Sequence, residues 1–117
     1  MPIYGNRPDY IAQQLGAILW RNNSGVAREQ HRLVRYGLGN TSERLNAVWK
    51  SADWIGILPD GRFLALEEKP AGWRYDNTPH AAAQLRFLTD VTAHGGVGAF
   101  ITCPDDIIRV IEKTRQR

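Results

Sequence analysis

A single α/β domain with a central mixed β-sheet flanked by helices is the fold class that this sequence predicts, and three stretches carry the prediction. Residues 51–69, SADWIGILPDGRFLALEEK, read as two short strands around Pro59-Asp60-Gly61, where proline presets φ and glycine tolerates a tight exit. A helical stretch follows over residues 79–94, with Thr78 or Asn77 as its cap, Pro79 in its first turn and Gly95-Gly96 at its end. Residues 97–103, VGAFITC, then have the length and apolar composition of a buried strand. At 117 residues the chain is long enough for one core and too short for two, so residues 1–117 form one domain.

The other elements follow from local signals. Pro8 near a first turn, with Asp9 complementing the helix dipole, starts a helix over residues 8–16, fed by a loop at Asn6-Arg7. Residues 17–22, AILWRN, form a strand that ends at the turn formers Asn23-Ser24-Gly25. Residues 26–36, VAREQHRLVRY, alternate in part and divide into two short strands around Glu29-Gln30-His31, with His31 exposed at the turn. Thr41 or Ser42 caps a short helix that buries Leu45 with Val48 or Trp49. In the hairpin, strands over residues 53–58 and 62–69 alternate faces: Phe63, Ala65, Glu67 and Lys69 share one side, and Leu64, Leu66 and Glu68 the other. Residues 70–78, PAGWRYDNT, form a loop, and the helix beyond it turns Ala81, Leu85, Leu88 and Val91 or Thr92 to the sheet, with Gln84 one turn from that stripe. Pro104-Asp105-Asp106 opens a last helix to about Lys113, its acids at the positive end of the dipole and Ile107, Ile108 and Ile111 facing inward. Residues 114–117 are a frayed basic tail.

Composition narrows the function classes. The net charge is +3 with a pI near 9.4, and 12 of the 15 basic residues are arginine, which suits phosphate contact. The lone Cys103 excludes an internal disulfide, and its apolar surroundings in the sequence predict a buried thiol in a reducing compartment. No apolar run approaches membrane-span length, and MPIYGNRPDY has neither a signal-peptide core nor a lipidation motif, so a soluble intracellular protein without a membrane partner is expected.

The hairpin gathers the chemistry. Asp53 opens one strand beside the end of the other, which brings it towards Glu67 and Lys69. Two such carboxylates repel, and a hard divalent cation such as Mg2+ between them resolves the repulsion, with the lysine facing water or a phosphate. The alternative is a surface hairpin whose Glu and Lys form an exposed ion pair worth under ~1 kcal/mol. Around it, Arg21-Asn22-Asn23 before Gly25 is either a phosphate-facing loop or a plain turn. Arg28 and Arg35 are either a basic strip or solvated charges. Residues 37–50, with Arg44 and Lys50 near the next strand, either shape a substrate entrance or simply connect. Trp73, Arg74 and Tyr75 lie just beyond Lys69, where they either stack on bases and clamp a backbone or, for Trp73, form a lid on the core.

An acid, a hairpin and then Glu-x-Lys resembles the PD-(D/E)xK nucleases. SADWIG with GRFLALEEK, WRNNSG, RYGLGN followed by LN and KSAD, and QLRFL on the later helix resemble its VRR-NUC branch, often carried by phages and mobile elements. The resemblance runs from about Trp20 to Asp106. It implies a small PD-(D/E)xK nuclease-like fold and a deoxyribonuclease dependent on Mg2+ or Mn2+, with no small-molecule cofactor. Asp53, Glu67 and the main-chain carbonyl of Glu68 would hold the metal, Lys69 would act on water or phosphate, and Gln84 would hydrogen-bond Lys69 or the phosphate. The implied substrate is structured DNA, such as a Holliday junction, flap or branched intermediate of replication, recombination or repair. Junction cutting implies a homodimer, and the setting is the cytoplasm of a bacterial or phage-infected cell. Two features depart from the pattern. The family's first helix supplies a glutamate, whereas this one has Gln13 and Gln14; Asp9, the only acid there, is either its replacement or a helix-start residue. The middle of Glu-x-Lys is usually apolar and here is Glu68. A catalytically weak or inactive module that binds branched DNA is the alternative expectation.

Overall fold

The structure, a computed structural model, describes residues 7–115. Asn6 of the expected first loop, and Gln116 and Arg117 of the expected tail, lie outside the described residues. Among the described residues the elements run α1 (Pro8–Gln14), β1 (Ile18–Arg21), β2 (Gly25–Glu29), β3 (Arg32–Tyr36), α2 (Glu43–Val48), β4 (Trp54–Ile57), β5 (Phe63–Glu68), α3 (Pro79–Ala93), β6 (Val97–Ile101) and α4 (Pro104–Thr114). Proline occupies the first turn of α1, α3 and α4, where its missing N–H would have had no partner. Ser42 and Thr78 cap α2 and α3 by accepting the N–H of Leu45 at 3.1 Å and of Ala81 at 3.2 Å.

The fold is α/β with a mixed sheet of four strands in the order β1-β4-β5-β6. β1 with β4 and β4 with β5 are antiparallel, and α3 is the crossover that lets β6 join β5 in parallel. The pairing of Trp54 with Leu66 and Ile57 with Phe63 sets the β4–β5 register. One face of the sheet carries Leu19, Trp54, Leu64, Leu66 and Ile101 into the larger core cluster with Ile11 and Ala12 of α1 and Ile107 and Ile111 of α4. Ala65 on the other face packs with Phe87 and Leu88 of α3 and with Trp49. The alternation expected of β5 therefore holds. Gly98 lets α3 lie close on the sheet, since a Cβ there would meet the Leu88 carbonyl oxygen at 2.7 Å. β2 and β3 form a separate two-stranded ribbon whose turn places Gln30 at φ 55.

Several expectations are corrected. The buried stripe of α3 is Ala81, Ala83, Gln84, Phe87 and Leu88, whereas Leu85 is exposed. Leu85 borders an open groove with Gly98 and Phe100, and among the described residues no strand lies beyond β6 to cover it. As an edge strand, β6 is half-buried along most of its length, and it ends at Ile101. Cys103 therefore falls outside it, at the N-cap of α4, and is exposed. On α4, Ile107 and Ile111 are buried one turn apart, while Ile108 is rotated into solvent. In the α2 segment Trp49 meets Phe87 edge-on at 4.8 Å, and Val48 is exposed. No helix among the described residues is long and apolar enough to cross a membrane.

Candidate active site

The site lies where β4 begins and β5 ends. Extending the β4–β5 register by one residue from the Trp54–Leu66 pair sets Asp53 opposite Glu67. Asp53 is fixed by its own strand edge: its backbone carbonyl accepts the Asn22 N–H at 2.7 Å, and its Oδ2 accepts the Glu68 N–H at 3.0 Å. Asn22 completes this corner, donating Nδ2–H to Ser51 Oγ at 2.9 Å and the Ala52 carbonyl at 2.8 Å while its Oδ1 accepts the Leu38 N–H. Its amide is thus committed inside the protein.

Glu67 is 4% exposed and pushed up to about 9. Burial is the largest cause, followed by a hydrogen bond with the Asp53 carboxyl and its charge; Lys69 opposes them. At neutral pH the Glu67 carboxyl therefore keeps its proton beside Asp53. A divalent cation would take the place of that proton, so the pair has the donor chemistry for one. Among the described residues no group of three or more His, Cys, Asp or Glu side chains converges as a metal cage. Two carboxylates with a backbone carbonyl and waters match the habit of Mg2+, which retains part of its hydration.

Lys69 lies two residues along β5, on the Glu67 side. Its Nζ donates to Gln84 Oε1 at 2.6 Å and sits 5.2 Å from the Trp73 ring centre and 5.8 Å from that of Phe100. Trp73 and Phe100 contact each other at 4.7 Å, so Trp73 is a wall behind the lysine, and the exposed aromatic of that loop is Tyr75. Gln84, 6% exposed, reaches Lys69 from α3, and its Nε2 lies 3.2 Å from His80 Nε2. His80 is held below the usual imidazole range, first by desolvation and then by the charges of Lys50 and Lys69.

These groups share a cleft of about 300 Å³ lined by Arg35, Lys50, Asp53, Glu67, His80 and Gln84, with Val26 of the ribbon and Asn40. Asn40 is buried and accepts from Arg35 Nη2 at 2.7 Å while donating to the carbonyls of Gly25 and Tyr36, which pins the ribbon to the cleft wall. Val26 pairs with Arg35 and Arg28 with Leu33, so Arg28 and Arg35 lie on one ribbon face. Asn23 and Arg74 are exposed on loops.

Three predicted site residues stand apart from the cleft. Arg21 stacks over Trp54 at 5.3 Å and approaches Glu68 at 3.9 Å, on the sheet face opposite Glu67. The Glu68 side chain, exposed there, also accepts the Trp54 Nε1–H at 3.1 Å, so its departure from an apolar residue carries no buried unpaired charge. Asp9 pairs with Arg7 at 2.6 Å and lines a separate cavity with Tyr10, Gln13 and Ile18. Sequence reading missed His80 and Asn40 as cleft-lining residues. The signal for His80 was its position one helical turn before Gln84. No family model matches this chain, and no curated protein matches it.

Proposed function

We propose that this chain is a Mg2+- or Mn2+-dependent deoxyribonuclease that hydrolyses phosphodiester bonds, of the VRR-NUC kind that its sequence resembles. The observation that supports this most is the meeting of Asp53 and Glu67 in one cleft with Gln84, whose amide oxygen holds the Lys69 ammonium at 2.6 Å. The carboxylates of Asp53 and Glu67 and the Glu68 carbonyl would hold the cation. When bound, it would supply Lewis-acid polarisation of the phosphate and ease deprotonation of a water. Glu67 would hold the cation as the ionised carboxylate, so its proton would first pass to solvent. Lys69, held through one N–H by Gln84, keeps its other donors for the attacking water or the negative charge that develops on the phosphate. Arg35 and Lys50 on the wall, Arg28 along the ribbon, and Asn23, Trp73 and Arg74 at the margins are the backbone and base contacts. Arg21 serves as an outer contact, and Asn22 acts by fixing the Asp53 corner. The substrate is structured DNA, a junction, flap or branched intermediate, and a homodimer would supply the two sites for paired cuts.

A second reading, a module that binds branched DNA with weak or no cleavage, is favoured by one observation: Asp9 is paired outside the cleft and adds no third acid to it. Cleavage of a labelled four-way junction and a linear duplex in Mg2+, Mn2+ or EDTA, with Lys69→Ala alongside, separates the two. Metal-dependent product lost in the variant supports the nuclease. Binding without product under either metal supports the module.

A further inference from the structure

We propose that His80 is a positioning residue of this cleft: its Nε2 accepts a hydrogen bond that fixes the Gln84 amide with the carbonyl turned to Lys69. An ammonium has only donors, so the end of Gln84 at 2.6 Å from Lys69 Nζ must be the oxygen. The amide nitrogen then faces His80 Nε2 at 3.2 Å. An amide nitrogen has only donors, so His80 Nε2 must carry a lone pair and the imidazole proton must sit on Nδ1. The spacing of four residues on α3 places the ring one turn before Gln84.

Lys69 at the oxygen end and neutral His80 at the nitrogen end therefore both oppose amide reversal. Reversed, Gln84 would turn its NH2 to the Lys69 ammonium and its oxygen to the imidazole lone pair. Gln84 is 6% exposed, so water is poorly placed to substitute for either partner. The charged groups acting on His80 are Lys50, before β4, and Lys69, at the end of β5, which favour the neutral ring, with Asp53 at the start of β4 opposing them. On the nuclease reading, the consequence is that His80 sets the direction of the lysine's free donors through Gln84 without touching the reacting atoms.

The experiment has two arms. In the first, the whole chain labelled with 15N-histidine is examined by NMR in EDTA at pH 8, where the His80 nitrogens report the tautomer directly. The Nδ1–H form should dominate in the wild type and lose its dominance in folded Gln84→Leu. In the second, junction cleavage is measured for His80→Asn, which keeps an acceptor, and His80→Phe, which does not. The phenylalanine variant should lose roughly tenfold in kcat with KM little changed, and asparagine should recover most of it. A wild type in the Nε2–H form overturns the proposal with no variant needed, as does a tautomer indifferent to Gln84→Leu or an asparagine variant as slow as phenylalanine. If no form of the protein cuts DNA, the nuclease reading fails alone, and the first arm still decides the role of His80.

Discussion

Replacing Glu67 by glutamine should stabilise the cation-free protein at neutral pH while removing its cation-dependent cleavage. The Glu67 carboxyl is 4% exposed and raised from 4.5 to about 9 by burial and by Asp53. Its folded value lies above its unfolded one, so between those values the native state keeps a proton that the unfolded chain has released. Stability is then full below pH 4.5 and falls as pH rises towards 9, by about 1.4 kcal/mol per unit, a loss of roughly 3 kcal/mol at pH 7. Glutamine is neutral, similar in size, and can donate an N–H to Asp53 where the protonated acid donates an O–H. Urea denaturation in EDTA at pH 5.5, 6.5 and 7.5, at constant ionic strength, measures the effect. The variant's advantage over wild type should grow by about 1.4 kcal/mol per unit across this range. Parallel pH profiles would refute the reasoning, because they would mean that Glu67 titrates alike in the folded and unfolded states.

Three further outcomes follow from the same structure. Leu66→Ala removes a side chain with 0% exposure from the larger core cluster and should cost about 2–5 kcal/mol in urea denaturation. Asp106 accepts from the Thr102 N–H at 2.8 Å and hydroxyl at 3.0 Å, and from Arg109 at 2.5 Å; the backbone bond is the largest cause holding its carboxyl down to about 2. Its contribution is present above pH 3.8 and lost as pH falls through about 2, so acid denaturation curves of wild type and Asp106→Asn should converge at the low end. Arg28→Ala should weaken binding to all DNA sequences alike, reducing the slope of log affinity against log salt by about 0.9, as measured by fluorescence anisotropy.

Much of the site was legible because strand alternation and hairpin register are short-range. In FLALEEK the alternation of strand side chains alone puts Glu67 and Lys69 on the opposite side from Leu64, Leu66 and Glu68. Gln84 was harder, since the buried face of α3 runs through Gln84 and Phe87, which packs on Trp49, and leaves Leu85 exposed. VGAFITC looked like an interior strand because apolar composition does not distinguish a centre from an edge. Its half-buried state follows from β6 having, among the described residues, a neighbour on one side only, and Cys103 is exposed because the strand ends before it at Ile101. The separation of β2 and β3 into a ribbon was likewise invisible, as nothing local says which strands share a sheet. His80 was overlooked because its partner is a single amide one helical turn away, a pairing that no motif marks.

Calorimetric titration of Mn2+ into the protein at pH 7, run in two buffers of different ionisation enthalpy, tests the cation site most directly. Mn2+ should bind at a single site, lost in Asp53→Asn, and release about one proton per ion as Glu67 ionises. Absence of binding, or binding that Asp53→Asn leaves unchanged, would contradict it.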